Sequence, residues 1–358
     1  MVILGAPVSR RPPHKTNLSQ VKVINPLGEY LIFILGALCL SIGITIAVQL
    51  RKPGRRYTGP GSVAKIYDDW TTDQKMKSYW GNHLHAGFYG QPPKTKDFIQ
   101  AKFDMIDEMV RWGIAEPDPA LFERMENPRP ETPPVRILDV GCGVGGSATH
   151  LAQRWSKSVQ VIGITLSSAQ AHFAIELARS HGLQNTAFVE CDAMAQAFTA
   201  ESFDIIWSLE SEMHMPDKEQ FLRELSRILK PGGRLVIATW NVRDTRSALL
   251  TTAEQEHVQY LLDEWCHTKF DGIPESVQLM ERFGLREVVS DDWTAATLPS
   301  WREAVLVALR DMRGLLGTGP NIWWLNIRDA YTILRFDSAF RKGLCVYGMF
   351  RGEKPAGS

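Results

Sequence analysis

The sequence ILDVGCGVGGSATHLAQRW, from Ile137 to Trp155, decides the fold. An apolar run is followed by four glycines within six residues and then by a helical pattern. This order predicts a strand, a tight turn and a helix, a common way of holding a nucleotide-like ligand. Gly141, Gly143 and Gly146 also satisfy the G-x-G-x-x-G spacing of a dinucleotide site, so the glycines alone do not identify the ligand.

Strand and helix patterns alternate after this turn. Val159–Thr165 is a β-branched run, and a helix follows from a cap at Ser167 or Ser168 to a stop at Gly182. Further strands are predicted near TAFVECDA, at Ser202–Ser211 and at Arg234–Trp240, with a helix between the last two that ends at the sequence PGG. This rhythm predicts βαβ units and a doubly wound, mostly parallel sheet, in which ligands lie at the carboxyl ends of the strands.

The ends of the first two predicted strands carry Asp139 and Thr165. Asp139 either caps the turn or lies near a cationic group of the ligand. No Asp or Glu occurs between Asp139 and Glu176, so the carboxylate that grips a ribose in dinucleotide folds is missing. Thr165 and Gln170 offer neutral hydrogen bonds instead.

The next two strand ends carry other polar groups. Asp192 and Ala193 follow the third strand and suit the amino group and face of a purine. Glu210, Ser211 and His214 follow the fourth strand, at the predicted mouth of the cleft.

Composition excludes several classes of function. The chain has 358 residues with 40 basic and 40 acidic side chains, so no charge excess indicates a nucleic-acid partner. The five cysteines (Cys39, Cys142, Cys191, Cys266 and Cys345) are scattered without a CxxC pair. Neither a disulfide framework nor a metal site is predicted.

The N-terminus contains an uncharged stretch of nineteen residues, Tyr30–Val48, followed by the basic sequence RKPGRR. As a helix it would reach about 28 Å, close to the hydrocarbon thickness of a bilayer. A signal peptide is disfavoured because the run is long, no A-x-A site follows and the basic cluster lies after it. A single-pass membrane anchor is predicted, with the following domain on the cytoplasmic or stromal side, although basic residues upstream weaken that orientation.

The motifs DVGCGVGG, GITLSSAQ, CDAM, FDIIWSLESEMHMPDK and LKPGGRLVIATW together resemble those of class I S-adenosylmethionine-dependent methyltransferases. The flanking segments WGNHLHAGFYGQPP, DDWTAATLPSW and GLCVYGMF resemble the tocopherol-pathway branch of that family. The resemblance covers about residues 28 to 352. It implies a Rossmann-like fold with seven strands, a helical substrate cap and an N-terminal transmembrane helix.

The resemblance also implies a domain plan. The predicted ranges are a tail at 1–28, an anchor at 29–50, a basic linker at 51–61, a helical lid at 62–134, an S-adenosylmethionine-binding core at 135–244, and a substrate cap with the last strands at 245–358. We expect a membrane location, in a cyanobacterial cell membrane, a thylakoid or a chloroplast membrane.

S-adenosylmethionine is the implied methyl donor, and no metal is implied. The glycines of the turn would let the backbone approach its methionine part, with Asp139 near the charged groups. Thr165 and Gln170 would contact the ribose, and Asp192 the adenine. The implied cofactor-binding residues are Asp139, Gly141, Cys142, Gly143, Gly145, Thr165, Gln170, Asp192, Ala193 and Glu210.

The implied reaction is methylation of a ring carbon of a prenylated hydroquinone, 2-methyl-6-phytyl-1,4-benzoquinol or its solanesyl analogue. Removing a hydroxyl proton activates the ring, so a base near neutrality is expected, and His214 and then His85 are the candidates. Each could instead be a histidine satisfied within a packed loop. Glu210 would orient the histidine or the amine of the donor.

The implied substrate-binding residues are Tyr67, Trp80, His83 and Tyr89. Membrane lipid is the other expected partner, nucleic acid is not expected, and the oligomeric state is left open. The alternatives are a tocopherol methyltransferase and a related amine or lipid methyltransferase. A nicotinamide-dependent oxidoreductase is disfavoured by the missing ribose carboxylate.

Overall fold

The computed structural model describes residues 26–72, 80–310 and 320–356, without the side chains of 26–33 and 320–322. Contacts within the chain divide it into two compact units, Met1–Arg51 and Lys52–Ser358. The first unit contains helix α1, Pro26–Leu50, whose described apolar side chains are mostly exposed, with Leu40 at 66%. Among the described residues, no helix has both the length and the apolar character needed to cross a membrane. The predicted tail lies almost wholly outside the described residues.

The second unit is built on a seven-stranded sheet in the order β3-β2-β1-β4-β5-β7-β6. The strands are β1 Val135–Val140, β2 Val159–Thr165, β3 Thr186–Glu190, β4 Phe203–Leu209, β5 Leu229–Val242, β6 Arg286–Asp292 and β7 Cys345–Glu353. The first five are joined in parallel, and β7 pairs antiparallel with both β5 and β6. The predicted doubly wound, mostly parallel sheet of the methyltransferase type is confirmed.

The central strands are apolar on both faces because helices cover both sides of a parallel sheet. Ile137 and Ile205 enter one hydrophobic cluster, while their neighbours Leu138 and Ile206 enter a second. Since successive side chains of a strand point to opposite faces, the two clusters are the two sides of the sheet. The carboxyl edge of these strands is therefore the place left for a ligand.

Helices cover the sheet and its carboxyl edge. They are α2 Pro60–Thr72, α3 Phe98–Val110 with a π-helical turn to Ala115, α4 Pro119–Glu126, α5 Gly146–Arg154, α6 Ser168–Ser180, α7 Lys218–Ile228, α8 Thr252–Glu264, α9 Ile273–Arg282, α10 Thr294–Thr297, α11 Pro299–Arg310 and α12 Pro320–Arg341. The predicted start of α6 is confirmed, because the Ser167 side chain accepts a hydrogen bond from the Gln170 amide.

One sequence prediction needs correction. The helix expected to end at Pro231 and Gly232 ends at Ile228, because Leu229 already pairs with Phe203 of β4. Within the predicted linker at 51–61, helix α2 begins at Pro60, and Arg55 and Arg56 form ion pairs with other residues of the second unit.

Candidate functional site

A cavity lies at the carboxyl ends of β1, β2, β4 and β5, beneath helix α2 and residues 80–86. One arm is lined by the glycine turn and the ends of β2 and β3. The other arm is lined by aromatic side chains of β5, α8 and α11 and by residues of α12. The two arms meet beside Glu210 and His214, which both line the cavity.

The glycine turn leaves β1 with three left-handed residues, Gly141 (φ +74°), Gly143 (φ +53°) and Gly145 (φ +82°). Side chains at Gly141 and Gly145 would collide with neighbouring protein atoms, those of Ser211 in the first case. A Cβ at Gly143 would meet only Gln170 Nε2, at 3.8 Å. Gly143 is therefore the glycine of the three that leaves room for a ligand, whereas the others serve close packing.

Asp139 is 2% exposed and lines the cavity. Burial raises the pKa of its carboxyl to about 7, although a hydrogen bond from the Ala148 backbone opposes the shift. Its Oδ2 atom has no hydrogen-bond partner within the described part of the chain. A buried carboxylate oxygen without a partner is costly, so this atom is fitted to a cationic or hydrogen-bonding group of a ligand.

Gln170 and Thr165 form a second polar point of the same arm. The Thr165 hydroxyl donates to Gln170 Oε1 at 2.8 Å, and both residues are buried. Gln170 Nε2 has no partner among the described residues, so its two hydrogens are free to bind a ligand hydroxyl.

The end of β3 contributes less than predicted. Cys191 and Ala193 line the cavity, whereas Asp192 is not among the lining residues. Asp192 Oδ1 instead accepts a hydrogen bond from the Met194 amide at 2.9 Å. Its predicted contact with adenine stays a prediction.

Glu210 follows β4 in the left-handed region, with φ +55°. Its Oε1 atom accepts hydrogen bonds from the Ala86 amide and the Tyr347 hydroxyl, both at 2.8 Å. Burial raises its pKa to about 7, and the hydrogen bonds from the Ala86 amide and the Tyr347 hydroxyl partly oppose this shift. These described contacts include no histidine, so the structure does not show Glu210 orienting one.

His214 is buried and faces Tyr67 of α2. Its Nδ1 atom lies 3.3 Å from the carbonyl oxygen of Cys266, which only accepts, so Nδ1 carries the hydrogen. Nε2 then accepts a hydrogen bond from the Tyr67 hydroxyl, at 2.9 Å. Burial lowers the pKa of His214 to about 4, and it raises the pKa of Tyr67. At neutral pH both side chains are therefore uncharged and joined by one hydrogen bond.

His85 and His83 form a separate buried pair. His85 Nδ1 lies 2.8 Å from the Ala86 carbonyl oxygen, and its Nε2 lies 3.3 Å from His83 Nδ1. Burial lowers the pKa of His85 to about 3 and that of His83 to about 2. The wholly buried Lys102 donates to the His83 carbonyl and holds this segment in place. Both histidines line the cavity, but among the described contacts neither bonds to His214.

The remaining predicted acceptor residues separate into two groups. Tyr67 and Trp80 line the cavity. Tyr89 does not line it; the side chain is 2% exposed and lies beside a different surface depression, and its amide donates to the Ala296 carbonyl. Its predicted contact with the acceptor stays a prediction.

The sequence predicted the aromatic arm only in outline, as part of the substrate cap at 245–358. Trp240 near the end of β5 has its ring 5.7 Å from Trp265, 5.2 Å from Trp301 and 5.2 Å from His267. These four side chains line the cavity. Three of them come from the predicted cap, and Trp240 comes from the end of a predicted strand, so no local pattern showed that the four rings meet.

Comparison with known proteins agrees with this geometry. Residues 131–297 match the family described as a methyltransferase domain. The chain is 40% identical to the 2-methyl-6-phytyl-1,4-hydroquinone methyltransferase of Synechocystis sp., over 91% of this chain and 98% of that protein. It is 31% identical to the chloroplast tocopherol O-methyltransferase of Arabidopsis thaliana, over 82% of each chain.

Solved structures share the fold at lower identity. The cyclase SpnF superimposes with a TM-score of 0.65 and 22% identity, over 85% of this chain and 100% of that chain. This likeness concerns the fold alone, since one fold hosts different reactions. The sequence matches carry the assignment: this chain belongs to the methyltransferase family that includes the Synechocystis and Arabidopsis enzymes.

Proposed function

We propose that this protein transfers a methyl group from S-adenosylmethionine to a ring carbon of 2-methyl-6-phytyl-1,4-benzoquinol. The observation that carries the proposal is a cavity in which a polar arm with unpartnered groups meets an aromatic arm at the Tyr67–His214 pair. The name of the Synechocystis relative, at 40% identity, supports the substrate class. The solanesyl analogue is a second acceptor that the same arm would admit.

The residues of the polar arm fit the proposed donor. Asp139 Oδ2 would accept from its ammonium group, Gln170 Nε2 would donate to a ribose hydroxyl, and Gly143 leaves room for its chain. When bound, the donor supplies an electrophilic methyl group that needs no further activation. The protein's contribution is then position and the exclusion of water.

The Tyr67–His214 pair is placed to remove the ring hydroxyl proton. Tyr67 would receive that proton as its own passes to His214 Nε2, which is unprotonated because burial holds its pKa near 4. The sequence argument assumed an ordinary histidine pKa of about 6.5. Burial makes His214 a weaker base than an ordinary histidine. The hydroxyl proton is therefore transferred only as methyl transfer gives the ring positive charge.

Methylation of a ring carbon also displaces its hydrogen, which leaves as a proton. Glu210 lines the junction of the two arms, and its pKa of about 7 suits a group that accepts a proton near neutrality. We assign it this second proton, in place of the predicted role of orienting a histidine. The first proton returns from His214 through Tyr67 to the ring oxygen as the hydroquinone is restored, so one proton is released for each methyl group transferred.

The first prediction concerns the reaction itself. Incubation with S-adenosylmethionine carrying a labelled methyl group should label 2-methyl-6-phytyl-1,4-benzoquinol, and NMR should place the new methyl on a ring carbon. A panel with the solanesyl analogue, tocopherols and amines tests the alternatives. Preferential labelling of a tocopherol would favour the alternative that the Arabidopsis relative represents, and an O-methyl product would rule out ring methylation.

The second prediction concerns Asp139. Asp139→Asn should weaken donor binding by about 10- to 150-fold, the range for losing a charge-assisted hydrogen bond. Because the free carboxyl has a pKa of about 7 and a cation favours its ionised form, wild-type affinity should rise as the pH increases through that value. The Asn variant should bind with little dependence on pH.

Calorimetric titration at several pH values measures both effects. Asp244, which is half-buried and does not line the cavity, provides a control, and Asp244→Asn should leave affinity unchanged. Equal affinities of Asp139→Asn and wild type would place the ammonium site elsewhere.

The third prediction concerns the proton relay. His214→Ala should lower turnover by about 10² to 10⁴, the range for a positioned general base, and Tyr67→Phe should do the same because it breaks the connection. Donor affinity should stay within about twofold of wild type. Activity of His214→Ala should recover partly at high pH, where a hydroquinone ionises unaided at a pKa near 10.

Steady-state kinetics with two comparison variants separates the roles. His85→Ala should mainly raise the KM for the acceptor, and the exposed His172→Ala should have no effect. A loss confined to His85→Ala would exchange the roles of the two histidines.

We further propose that the N-terminal segment attaches the enzyme to a membrane, with the catalytic unit on the cytoplasmic or stromal side. The nineteen uncharged residues and the exposed apolar side chains of α1 support this, among them Leu35, Leu38 and Ile42. The fourth prediction is that sodium carbonate washing leaves the full chain in the membrane fraction, as judged by immunoblot. Release into the supernatant would contradict a spanning segment.

A further inference from the structure

Residues 52–56, here called the strap, are held on the surface of the second unit. The Gly54 amide and the Arg328 guanidinium both donate to Oε1 of Glu264, the wholly buried last residue of α8. Arg328 also donates to the Lys52 carbonyl oxygen at 2.9 Å. The strap is thus fixed at its start by a buried ion pair between α8 and α12.

The passage of the strap requires glycine at position 54. A Cβ there would overlap the guanidinium group of Arg328. That group cannot move aside freely, because it is 7% exposed and paired with Glu264. A glycine within a basic segment next to an apolar helix therefore has a packing function that the sequence pattern did not reveal.

Beyond this fixed point, Arg55 reaches the edge of the cavity. Its Nη1 atom forms an ion pair with Asp329 Oδ1 of α12 at 2.7 Å. Its guanidinium carbon lies 5.6 Å from the centre of the Trp70 ring of α2. Asp329 and Trp70 both line the aromatic arm of the cavity. Arg55 therefore links α2 to α12 on the side of the cavity that contains the aromatic arm.

Helix α2 is pinned separately on the side of the polar arm. Asp68 Oδ1 accepts a hydrogen bond from the Ser167 hydroxyl at 2.5 Å and one from the Ala169 amide at 3.2 Å, at the start of α6. Between the two attachments, Tyr67 reaches His214, and the Trp70 ring lies edge-on to Tyr67 at 5.3 Å. Helix α2 therefore covers the cavity and is held by one polar contact on the side of each arm.

We propose that the Arg55–Asp329 pair is the latch through which the acceptor arm opens and closes, while the Asp68 attachment keeps the donor arm covered. This inference rests on the proposed function in one respect, that the apolar acceptor occupies the aromatic arm. Arg55 and Asp329 are positioning residues, since they hold α2 and Tyr67 over the acceptor and take no part in the chemistry.

The exposure of the two ion pairs explains why one opens and the other stays closed. Side chains of Arg55 and Asp329 are partly buried but keep 18% and 24% of their surface exposed, so water can reach this pair and replace its bond at a smaller cost than for a fully buried pair. Glu264 and Arg328 are 0% and 7% exposed, and separating them leaves a buried charge unpaired. The strap therefore stays attached at Gly54, and the ion pair between Arg55 and Asp329 is the contact that breaks when the acceptor arm opens.

The test compares two neighbouring arginines of the full-length enzyme. Arg55→Gln and Asp329→Asn should each raise the acceptor KM about 10-fold, within the range of couplings between contacting charges. The double variant should be no worse than either single one. Hydrogen exchange of the peptide covering α2 should accelerate by a similar factor, and the Kd for S-adenosylmethionine should stay within about twofold.

Arg56→Gln is the matched control. The Arg56 side chain is 73% exposed, and its ion pair with Asp263 is weak because the charged atoms are 3.7 Å apart. It should match wild type in acceptor KM and in exchange of α2. Gly54→Ala, which displaces the strap without touching Arg55 or Asp329, should reproduce the effect of Arg55→Gln.

Three outcomes would overturn the latch. The first is that Arg55→Gln and Arg56→Gln behave alike, and the second is that the effects of Arg55→Gln and Asp329→Asn multiply in the double variant. The third is that donor Kd changes as much as acceptor KM. Failure of the proposed function is distinguishable, since wild type would then lack methyl transfer to the prenylated hydroquinone, while exchange of α2 would still test the latch.

Discussion

The ends of β1 and β4 are held together at the point where the cavity begins. The Ser211 hydroxyl donates to the Val140 carbonyl oxygen at 2.6 Å, and a Cβ on Gly141 would overlap the Ser211 side chain. This contact lies where the strand order reverses, between neighbouring strands whose connections leave in opposite directions. Glu210 and the turn carrying His214 leave β4 at that contact, so their position relative to the glycine turn depends on a glycine at 141.

Burial sets the charge state of the groups gathered there. It raises the pKa of Asp139 and of Glu210 to about 7 and lowers that of His214 to about 4. At neutral pH the two carboxyls are therefore only partly ionised, and His214 is uncharged. Such a site favours a cationic donor beside Asp139 and avoids placing charges beside an apolar acceptor.

The sheet and the turns at its carboxyl edge supply the donor arm, whereas most of the acceptor arm, apart from Trp240 of β5, comes from elements outside the sheet. Tyr67 comes from α2, Trp265 follows α8, Trp301 lies in α11 and Asp329 in α12. The residues that contact the acceptor can therefore change without altering the sheet, as expected when one fold hosts different reactions.

The sequence by itself determined the sheet and most of the polar arm. Alternating strand and helix patterns fix a parallel sheet, and local order then places Asp139, Gly143, Thr165 and Ala193 after strand ends at one edge. Motif resemblance carried the family assignment for the same reason, since these residues are close along the chain.

Only the tertiary structure decided the acceptor side. Tyr67 and His214 are 147 residues apart, and Arg55 and Asp329 are 274 apart, so no local pattern connects them. Tyr89 and Asp192 stand in motifs that predicted contact, yet neither lines the cavity, and Asp192 Oδ1 accepts from the nearby Met194 amide. Burial is likewise a property of the packed chain, and it moved the His214 pKa away from the value that the sequence argument assumed, because desolvation depends on every element packed around the ring.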